Sequence, residues 1–554
     1  MTKNRKNGFI LQAGILAAAG VITRIIGILY RSPLVAIIGD EGNGYYSAAY
    51  TIYTIILLIS TNGIPSAVSK IVAAKLARKE YRNAHKIFMG AFCYVVIAGG
   101  LASAACFFFA DKIAGESSAY VLRVFTPTIF LSGLLGVYRG YFQAHGSMLQ
   151  TSFSQVLEQI ANALISIGAA LLFISFAPEN DASSKAVYGA MGSALGTGAG
   201  VLTALLFMII AYKINHGMFK KRRQLDHTVN ELSYGQVFKM IFTMVTPVIL
   251  STCIYNVSSF SNLQIYSRIS ESIRSYTETQ ITTYYGYYSG KANPITNIPI
   301  AFAAAMSIAI IPTISGSYEK GEKRETNRKI GDGIKTAMLI SIPAAVGMAV
   351  LAKPIVYILY PQPESLDIVA RLLQLMSASV VFYSLSTITN GVLQATGHVN
   401  KPMFHAAAAL VLQTLLLIGL LMFTSMDIYA MAIAAVFYSF CVSILNGITI
   451  QRKLHYRQEM IRTFILPVAA SLWMGVTAFL VYQGINKVFT LLNLQQPGEM
   501  NWTLNCVGLV SSIFIAAVVY FILVIKLGAI SKKELAAVPK GRTLVQIAEK
   551  LHLC

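Results

Sequence analysis

Charge is scarce in this chain of 554 residues, because Lys, Arg, Asp and Glu together make up 12% of it, about half the share in a soluble domain. Acidic residues are the rarer kind, with 23 Asp and Glu against 44 Lys and Arg. This scarcity excludes an ordinary cytosolic enzyme. Hydrophobic residues make up 55% and the mean hydropathy is +0.61, so the chain is not a disordered one either.

Metal-binding and nucleotide-binding motifs are missing from the sequence. The six cysteines form no CxxC pair and no zinc-like cluster, so we interpret them as small apolar side chains. Gly192, Gly196 and Gly200 lie four apart within an apolar run, which is typical of helix packing and not of a phosphate loop. We therefore predict a protein that is not an enzyme and that uses no cofactor, with a coupling cation of unknown identity left open.

Apolar stretches of about 20 residues, long enough to cross a bilayer as helices, recur along the whole chain. They predict an all-α polytopic membrane protein with fourteen transmembrane helices, near residues 9–38, 45–69, 87–110, 119–142, 151–176, 187–212, 236–264, 282–315, 333–360, 369–394, 403–425, 428–451, 463–485 and 502–525. The predicted domains are a six-helix lobe, a cytoplasmic linker, a second six-helix lobe, an extra helix pair and a cytoplasmic tail, at residues 1–212, 213–234, 235–452, 453–527 and 528–554.

Most of the basic residues lie in the two tails and in every second connection between the predicted helices. Because loops rich in Lys and Arg stay in the cytoplasm, this pattern predicts a multi-pass protein of the plasma membrane with both termini cytoplasmic. It also explains the net charge of +21 without nucleic acid as a partner. The basic loops would face the anionic lipid of the inner leaflet.

The two halves of the chain contain a repeat. Residues 140–168 and 391–419 match with a shift of 251, and each copy holds a helix end, a QAxG turn and the start of the next helix. The copies run in the same direction, since the predicted fourth helix matches the tenth. This indicates two pseudo-symmetric lobes of six helices, an arrangement known among transporters.

Charged residues within the predicted spans are few and mostly basic. Apart from the basic residues assigned to loops and adjoining helix ends, the sequence places one acid there, Glu158, and five cations, namely Arg24, Arg31, Arg123, Arg139 and Lys291. Such residues usually face a wet cavity or a partner, so an excess of cations predicts an anionic ligand. Arg24 and Arg31 are seven residues apart, which puts both on one helix face, about 10 Å apart along the axis. Two alternatives are that Arg31 reaches the outer surface and that Arg24 pairs with Glu158.

Polar residues and prolines interrupt three of these apolar spans. Freed backbone groups are tolerated in a membrane only against protein or a wet cavity, so these segments predict a substrate site and bending helices. Kinking for packing alone is the alternative. The candidates for substrate binding are Arg24, Arg31, Lys291, Asn62, Asn293 and Asn297, those for gating are Pro33, Pro65, Pro294 and Pro299, and Glu158 is a candidate for ion coupling or for charge pairing.

The sequence resembles the MOP flippase superfamily, in the polysaccharide-exporter branch of Gram-positive bacteria that includes lipid II flippases. The resemblance covers nearly the whole chain and rests on the opening TRIIGILYRSPLVAIIGDEG, on YYSGKANPITNIPIAF and on the QATG turn. It implies two six-helix lobes in a V and a terminal helix pair that forms a groove for a lipid tail. The family's essential arginines of the first helix fall on Arg24 and Arg31, Lys291 supplies a further cation, and Asn297 stands where an acid is expected.

The resemblance implies a flippase that carries an undecaprenyl-diphosphate-linked cell-wall precursor from the inner to the outer leaflet by alternating access. Lipid II is the first candidate substrate. The alternatives are another lipid-linked oligosaccharide, for teichoic acid, capsule or spore cortex, a multidrug exporter of the MATE type, and a scaffold for the division or sporulation machinery. Membrane lipids and proteins of cell-wall synthesis or sporulation are the further partners considered.

Overall fold

The computed structural model describes residues 3–60, 64–178, 181–224, 226, 231–398, 400–494, 496 and 501–530. Over these residues the chain is almost entirely helical, and no strand occurs in them. The all-α prediction is therefore confirmed. Two compact units follow one another along the chain, the first ending at Gly290 and the second beginning at Lys291.

The first unit is built mainly from helices of the predicted N-terminal lobe. Its helices are α1 (Lys3–Ser60), α2 (Ile64–Ala77), α3 (Tyr81–Phe108), α4 (Ala110–Ala114), α5 (Glu116–Ala144), α6 (Leu149–Ser175), α7 (Ala182–Gln224), α8 (Tyr234–Arg274) and α9 (Glu278–Tyr285). A π-helical turn, Gly286–Ala292, continues α9 and contains the boundary between the units.

The second unit begins inside that π-helical turn and is helical in the same way. Its helices are α10 (Asn293–Glu319), α11 (Lys323–Val350), α12 (Ala352–Leu359), α13 (Pro363–Ala395), α14 (Asn400–Phe423), α15 (Tyr429–Leu454), α16 (Leu466–Leu491) and α17 (Trp502–Lys526), with a second π-helical turn, Ile461–Ile465, before α16. The predicted domain boundaries stay a prediction, although α7 shows that the predicted linker is helical as far as Gln224.

Eleven helices of the described chain are long and apolar enough to cross a membrane. The first of them, Ile22–Leu58, covers two predicted spans, and neither α8 nor α10 is among the eleven. The membrane-spanning character is thus shown, while the count of fourteen stays a prediction. The two predicted spans in α1 are separated by a break at Gly39, whose φ of 71° and ψ of 178° are not helical. A side chain would make this backbone conformation unfavourable.

Helices α6 and α7 cross at very short distance because glycines line the contact. A Cβ built on Gly200 would lie 2.6 Å from the carbonyl oxygen of Glu158, and one on Gly192 would lie 2.7 Å from the Cα of Ala170. Backbone meets backbone here with no room for a side chain. The interpretation of this glycine stripe as helix packing is confirmed.

The terminal helices α16 and α17 are attached to the second unit by buried polar contacts. The side chain of Asn505 donates to the carbonyl of Pro354 at 3.1 Å and accepts from the hydroxyl of Tyr482 at 2.5 Å. The hydroxyl of Tyr520 donates to the carbonyl of Leu339 at 2.9 Å. Removing such buried partners is costly, so the pair is a fixed part of this unit.

Candidate functional site

The first half of α1 has one apolar face and one face with two arginines. At about 100° per residue, the exposed side chains of Ile22, Ile25 and Leu29 share one side of the helix. Arg24 and Arg31 lie within about 20° of each other on the opposite side. The apolar side is the one that suits lipid, so the arginines point away from it.

The arginine face of α1 continues into the protein core. Leu34 and Ile38 lie on the same side of the helix and are buried, in a cluster with Ala170 of α6. The contact between α1 and α6 is less tight nearer the arginines, since Arg31 is half-buried and Arg24 is exposed. The two cations therefore lie at the edge of the α1–α6 contact, next to accessible surface.

Arg31 lies against an aromatic cluster on the second half of α1 and on α5. Its guanidinium carbon is 5.8 Å from the ring centre of Tyr46, within the range of a cation–π interaction. The ring of Tyr46 in turn contacts Tyr50 and Phe125, with centroid distances of 5.8 and 5.5 Å. Arg31 thus contacts Tyr46, which is part of a cluster of packed aromatic rings.

A polar stripe runs along α6 on the side that faces the other helices of the first unit. Its residues lie within about 120° of arc and extend over about 22 Å of helix. They are Thr151, Ser154, Gln155, Glu158, Asn162 and Ser166. Polar groups at this depth are usually functional or paired, and here several of them join α6 to its neighbours.

Asn162 is the centre of a hydrogen-bond network between three helices. Its side-chain nitrogen donates to the hydroxyl of Tyr30 at 3.4 Å, and its oxygen accepts from Ser166 at 2.9 Å and from Thr197 at 3.4 Å. Thr197 also lies 3.3 Å from the hydroxyl of Tyr46, the residue under Arg31. Sequence reasoning missed this network, although the spacing of polar residues along the predicted fifth helix carries the signal.

Glu158 forms an ion pair with Arg139 of α5. A guanidinium nitrogen lies 2.7 Å from the carboxylate, and the Nε of Arg139 donates to Ser154 at 2.9 Å. Both charged side chains are largely buried, with 16% and 29% exposure. The charge partner of Glu158 in this structure is therefore Arg139, and the pair as a whole is neutral.

Lys291 lies in the π-helical turn and is 0% exposed. Its ammonium donates to the hydroxyl of Ser365 at 2.7 Å and to the side chain of Gln362, and lies 5.6 Å from the ring centre of Tyr360. These contacts come from the first turn of α13 and the residues before it. A ligand can reach this ammonium only in a conformation in which they separate.

The remaining candidates of the eighth predicted span lie on α10. Asn293 is half-buried and Asn297 is exposed, and their side chains are 3.5 Å apart. Pro294 lies in the first turn of α10, where a proline is compatible with a helix, and Pro299 is buried. Asn62 lies outside the described residues.

Two prolines near the start of the chain were predicted to let helices bend. The helix continues through Pro33, which is exposed, and the break in α1 lies at Gly39. Pro65 is in the first turn of α2, where its carbonyl oxygen would be 2.6 Å from a Cβ on Gly140 of α5. Pro65 thus packs tightly against α5 in this conformation, and the gating roles stay predictions.

Arg123 in the N-terminal part of α5 behaves differently from the arginines of α1. It forms an ion pair with Asp111 at 2.5 Å and lies 5.8 Å from the ring centres of both Tyr120 and Phe107. Asp111 is well exposed. The structure therefore places Arg123 in a surface cluster of an acid and two rings, as expected of an anchor at the membrane interface.

The chain is built from long apolar helices. One of them, α1, carries two cations on its protein side, and a polar stripe on α6 lies beside these cations. Together these features define a polytopic membrane protein of the transporter class. The family model for the lipid II flippase MurJ matches residues 83–495. The chain therefore belongs to the MurJ lipid II flippase family, and the resemblance to the MOP superfamily seen in the sequence is confirmed.

Curated relatives match over most of their length. Stage V sporulation protein B of Bacillus subtilis (strain 168) is 24% identical over 549 residues, which cover 98% of this chain and 100% of that protein. Lipid II flippase MurJ of the same strain is 26% identical over 502 residues, covering 84% of this chain and 87% of that protein. The two differ little in identity.

Solved structures show the same fold at low sequence identity. A lipid II flippase MurJ in an inward closed conformation aligns with a TM-score of 0.65 at 15% identity, covering 92% of this chain and 97% of that one. An inward-facing multidrug resistance MATE family transporter of the MOP superfamily aligns with a TM-score of 0.63 at 16% identity, covering 78% and 94%. The MurJ structure is thus matched over more of this chain.

Proposed function

We propose that this protein is a flippase that moves an undecaprenyl-diphosphate-linked cell-wall precursor, with lipid II as the leading substrate, from the inner to the outer leaflet by alternating access. It would act in the plasma membrane with both termini in the cytoplasm. Membership of the lipid II flippase family supports the transport of a lipid-linked precursor. The pattern of basic loops supports the orientation.

The pair Arg24 and Arg31 on the protein side of α1 is the observation that carries this proposal. A diphosphate cannot enter hydrocarbon unaided, because burying its charge is prohibitive. Guanidinium groups bind phosphate through paired, charge-assisted hydrogen bonds. Two such groups about 10 Å apart along one helix face offer the diphosphate successive positions along its path.

Neutral polar groups near the arginines suit the rest of the headgroup. The stripe on α6, with Asn162 at its centre, would offer hydroxyl and amide groups for sugar or peptide in a state in which the contacts of Asn162 with Tyr30 and Thr197 are open. Asn62, Asn293 and Asn297 keep their predicted role in substrate binding. The lipid tail would remain in the bilayer. Lys291 would bind the headgroup only in a state in which its contacts with Ser365 and its neighbours are open.

A second candidate is the transport of another lipid-linked oligosaccharide. It is favoured by the match to stage V sporulation protein B, which covers 98% of this chain at 24% identity. The same arginines would serve, because any polyprenyl-diphosphate precursor presents the same diphosphate. Headgroup selection would then depend on the neutral polar side chains.

Complementation of a bacterial strain depleted of its lipid II flippase tests the proposal. The wild-type protein should restore growth and relieve lipid II accumulation, whereas Arg24→Ala and Arg31→Ala should not. Arg268→Ala is the matched control, because Arg268 is an exposed arginine of α8 outside the proposed site. Lys291→Ala tests the further cation, and membrane levels of every variant are measured.

Two results would count against the proposal in different ways. Full rescue by both Arg24→Ala and Arg31→Ala would remove the diphosphate site. Failure of a well-inserted wild-type protein would remove lipid II as the substrate, and the same variants would then be tested in a sporulation-defective strain for the second candidate.

A further inference from the structure

Helix α7 is much longer than a membrane span requires. It runs from Ala182 to Gln224, 43 residues, or about 64 Å at 1.5 Å per residue, whereas about 20 residues cross the hydrocarbon core. Its apolar span ends near residue 212, and the last twelve residues read KINHGMFKKRRQ. A basic helical segment therefore continues α7 out of the bilayer.

One side of this segment is anchored to the first unit. Phe219 is 3% exposed, and its ring centre is 4.8 Å from that of His145, 5.2 Å from that of Tyr141 and 5.6 Å from that of Tyr212. These contacts fix the rotation of the segment, so its other faces have defined directions.

The opposite side presents exposed apolar residues. Ile210, Ile214 and Met218 are spaced by four residues and lie between about 180° and 260° around the helix from Phe219. All three are exposed, and Ile214 reaches 77%. Leaving such a side chain in water forgoes roughly 1.5–3 kcal/mol of burial, so an apolar environment is expected to cover this side.

Lysines surround a gap beside this apolar stripe. Gly217 has nothing within 4 Å of the position of a Cβ, so the helix surface is open there. Its nearest surface neighbours at three and four residues are Lys213, Lys220 and Lys221, together with Ile214. A glycine within a helix costs about 1 kcal/mol relative to alanine, and no packing contact explains this one.

We infer that the C-terminal segment of α7 binds an anionic phospholipid of the leaflet into which it emerges. The phosphate lies in the gap at Gly217 between the lysines, and the glycerol and upper acyl chain cover Ile214 and Met218. Both the charge and the apolar stripe match such a lipid, and an acidic protein surface matches only the charge. This inference does not depend on the proposed flippase substrate.

Thermal stabilisation of the purified full-length protein in detergent tests the inference. The probes are short-chain phosphatidylglycerol, short-chain phosphatidylcholine, inorganic phosphate and a synthetic acidic peptide. Phosphatidylglycerol should stabilise the protein at the lowest concentration, and added salt should weaken the effect. Each lysine near a lipid phosphate contributes about five-fold in affinity, so K213Q/K220Q should raise the half-effective concentration about 25-fold.

Two further variants separate lipid binding from general effects. The double variant K112Q/K487Q removes two exposed lysines elsewhere and should respond like the wild type. Gly217→Leu fills the gap, keeps every charge and improves helix propensity, so it should lose the response to phosphatidylglycerol without unfolding the segment.

Several outcomes would overturn the inference. Equal stabilisation by phosphatidylcholine would show apolar contact alone, and equal stabilisation by inorganic phosphate would show a general anion site. Stabilisation by the acidic peptide but not by the lipid would assign the surface to a protein partner. An unchanged lipid response in both K213Q/K220Q and Gly217→Leu would place lipid binding elsewhere.

Discussion

Replacing Gly196 by alanine should destabilise the protein, although alanine is the better helix former. A Cβ at this position on α7 would lie 2.5 Å from the Cα of Ser166 and still closer to its backbone nitrogen. Because backbone cannot rotate away, the two helices must separate. Overpacking of this kind costs about 1–3 kcal/mol.

Hydrogen bonds at the same contact add to the cost. The hydroxyl of Ser166 lies 3.0 Å from the carbonyl oxygen of Ser193 and 2.9 Å from the side-chain oxygen of Asn162. Its single proton is shared between these two acceptors, so together they contribute about 1 kcal/mol. Against this, Gly→Ala gains about 1 kcal/mol in helix propensity. With both bonds weakened, the net loss for Gly196→Ala should be about 2 kcal/mol.

Gly168→Ala is the matched control, because Gly168 lies on α6 with nothing within 4 Å of its Cβ position. It should leave stability unchanged or raise it by up to about 1 kcal/mol. The assay is unfolding of the two purified variants by SDS in mixed micelles. If Gly196→Ala is as stable as Gly168→Ala, the close α6–α7 contact is wrong.

Three other predictions concern contacts away from this crossing. Glu158→Gln should destabilise the protein by about 1–3 kcal/mol, since it leaves the largely buried guanidinium of Arg139 without its carboxylate, and a double-mutant cycle with Arg139→Gln should recover part of this loss. Burial, together with a nearby arginine, lowers the pKa of His145, so stability should be full above the ordinary histidine pKa of about 6.5 and should fall as the pH drops below it. Melting temperatures between pH 8 and 5 measure this, and His145→Gln should flatten the dependence. Asn505→Leu should lower the melting temperature more than Tyr482→Phe does, because it breaks both buried bonds of the terminal pair, and equal effects would contradict their arrangement.

The pattern of apolar residues predicts the helices better than it predicts which side chains of different helices contact one another. Glycines spaced by four within an apolar run predicted close helix packing, since small residues at this spacing commonly serve helix contacts in membranes, and the structure shows that α6 is the partner. The partners of Asn162 did not follow, because Tyr30 and Thr197 come from helices distant in the sequence. The partner of Glu158 was equally hidden, since several arginines stood at a suitable depth and only tertiary packing selects Arg139.

The sequence is also a poor guide to where a helix departs from regular geometry, as α1 and the eighth predicted span show. Helix α1 continues through Pro33, where the proline removes one backbone donor and its ring crowds the carbonyl four residues earlier, whereas the non-helical backbone lies at Gly39, with a φ of 71°. The bending role of Pro33 therefore stays a prediction. In the eighth predicted span the prolines suggested a broken helix, and the structure instead has a π-helical turn at Gly286–Ala292. The start of this turn packs closely against α1, because a Cβ on Gly286 would lie 2.7 Å from the Cα of Gly44, so a larger residue does not fit there.

The surroundings of Arg31 favour a ligand that is bound transiently. With no ligand, its guanidinium is stabilised by Tyr46, and a cation–π contact of this kind contributes about 0.5–2 kcal/mol. A hydrogen bond to a charged group contributes about 1.5–3 kcal/mol, so the proposed diphosphate would displace the ring by a modest margin and could also be released. A cationic drug meets the opposite situation, because Arg24 and Arg31 repel it before any aromatic contact forms. On this physical ground the arginine face of α1 favours the proposed anionic headgroup over a cationic drug.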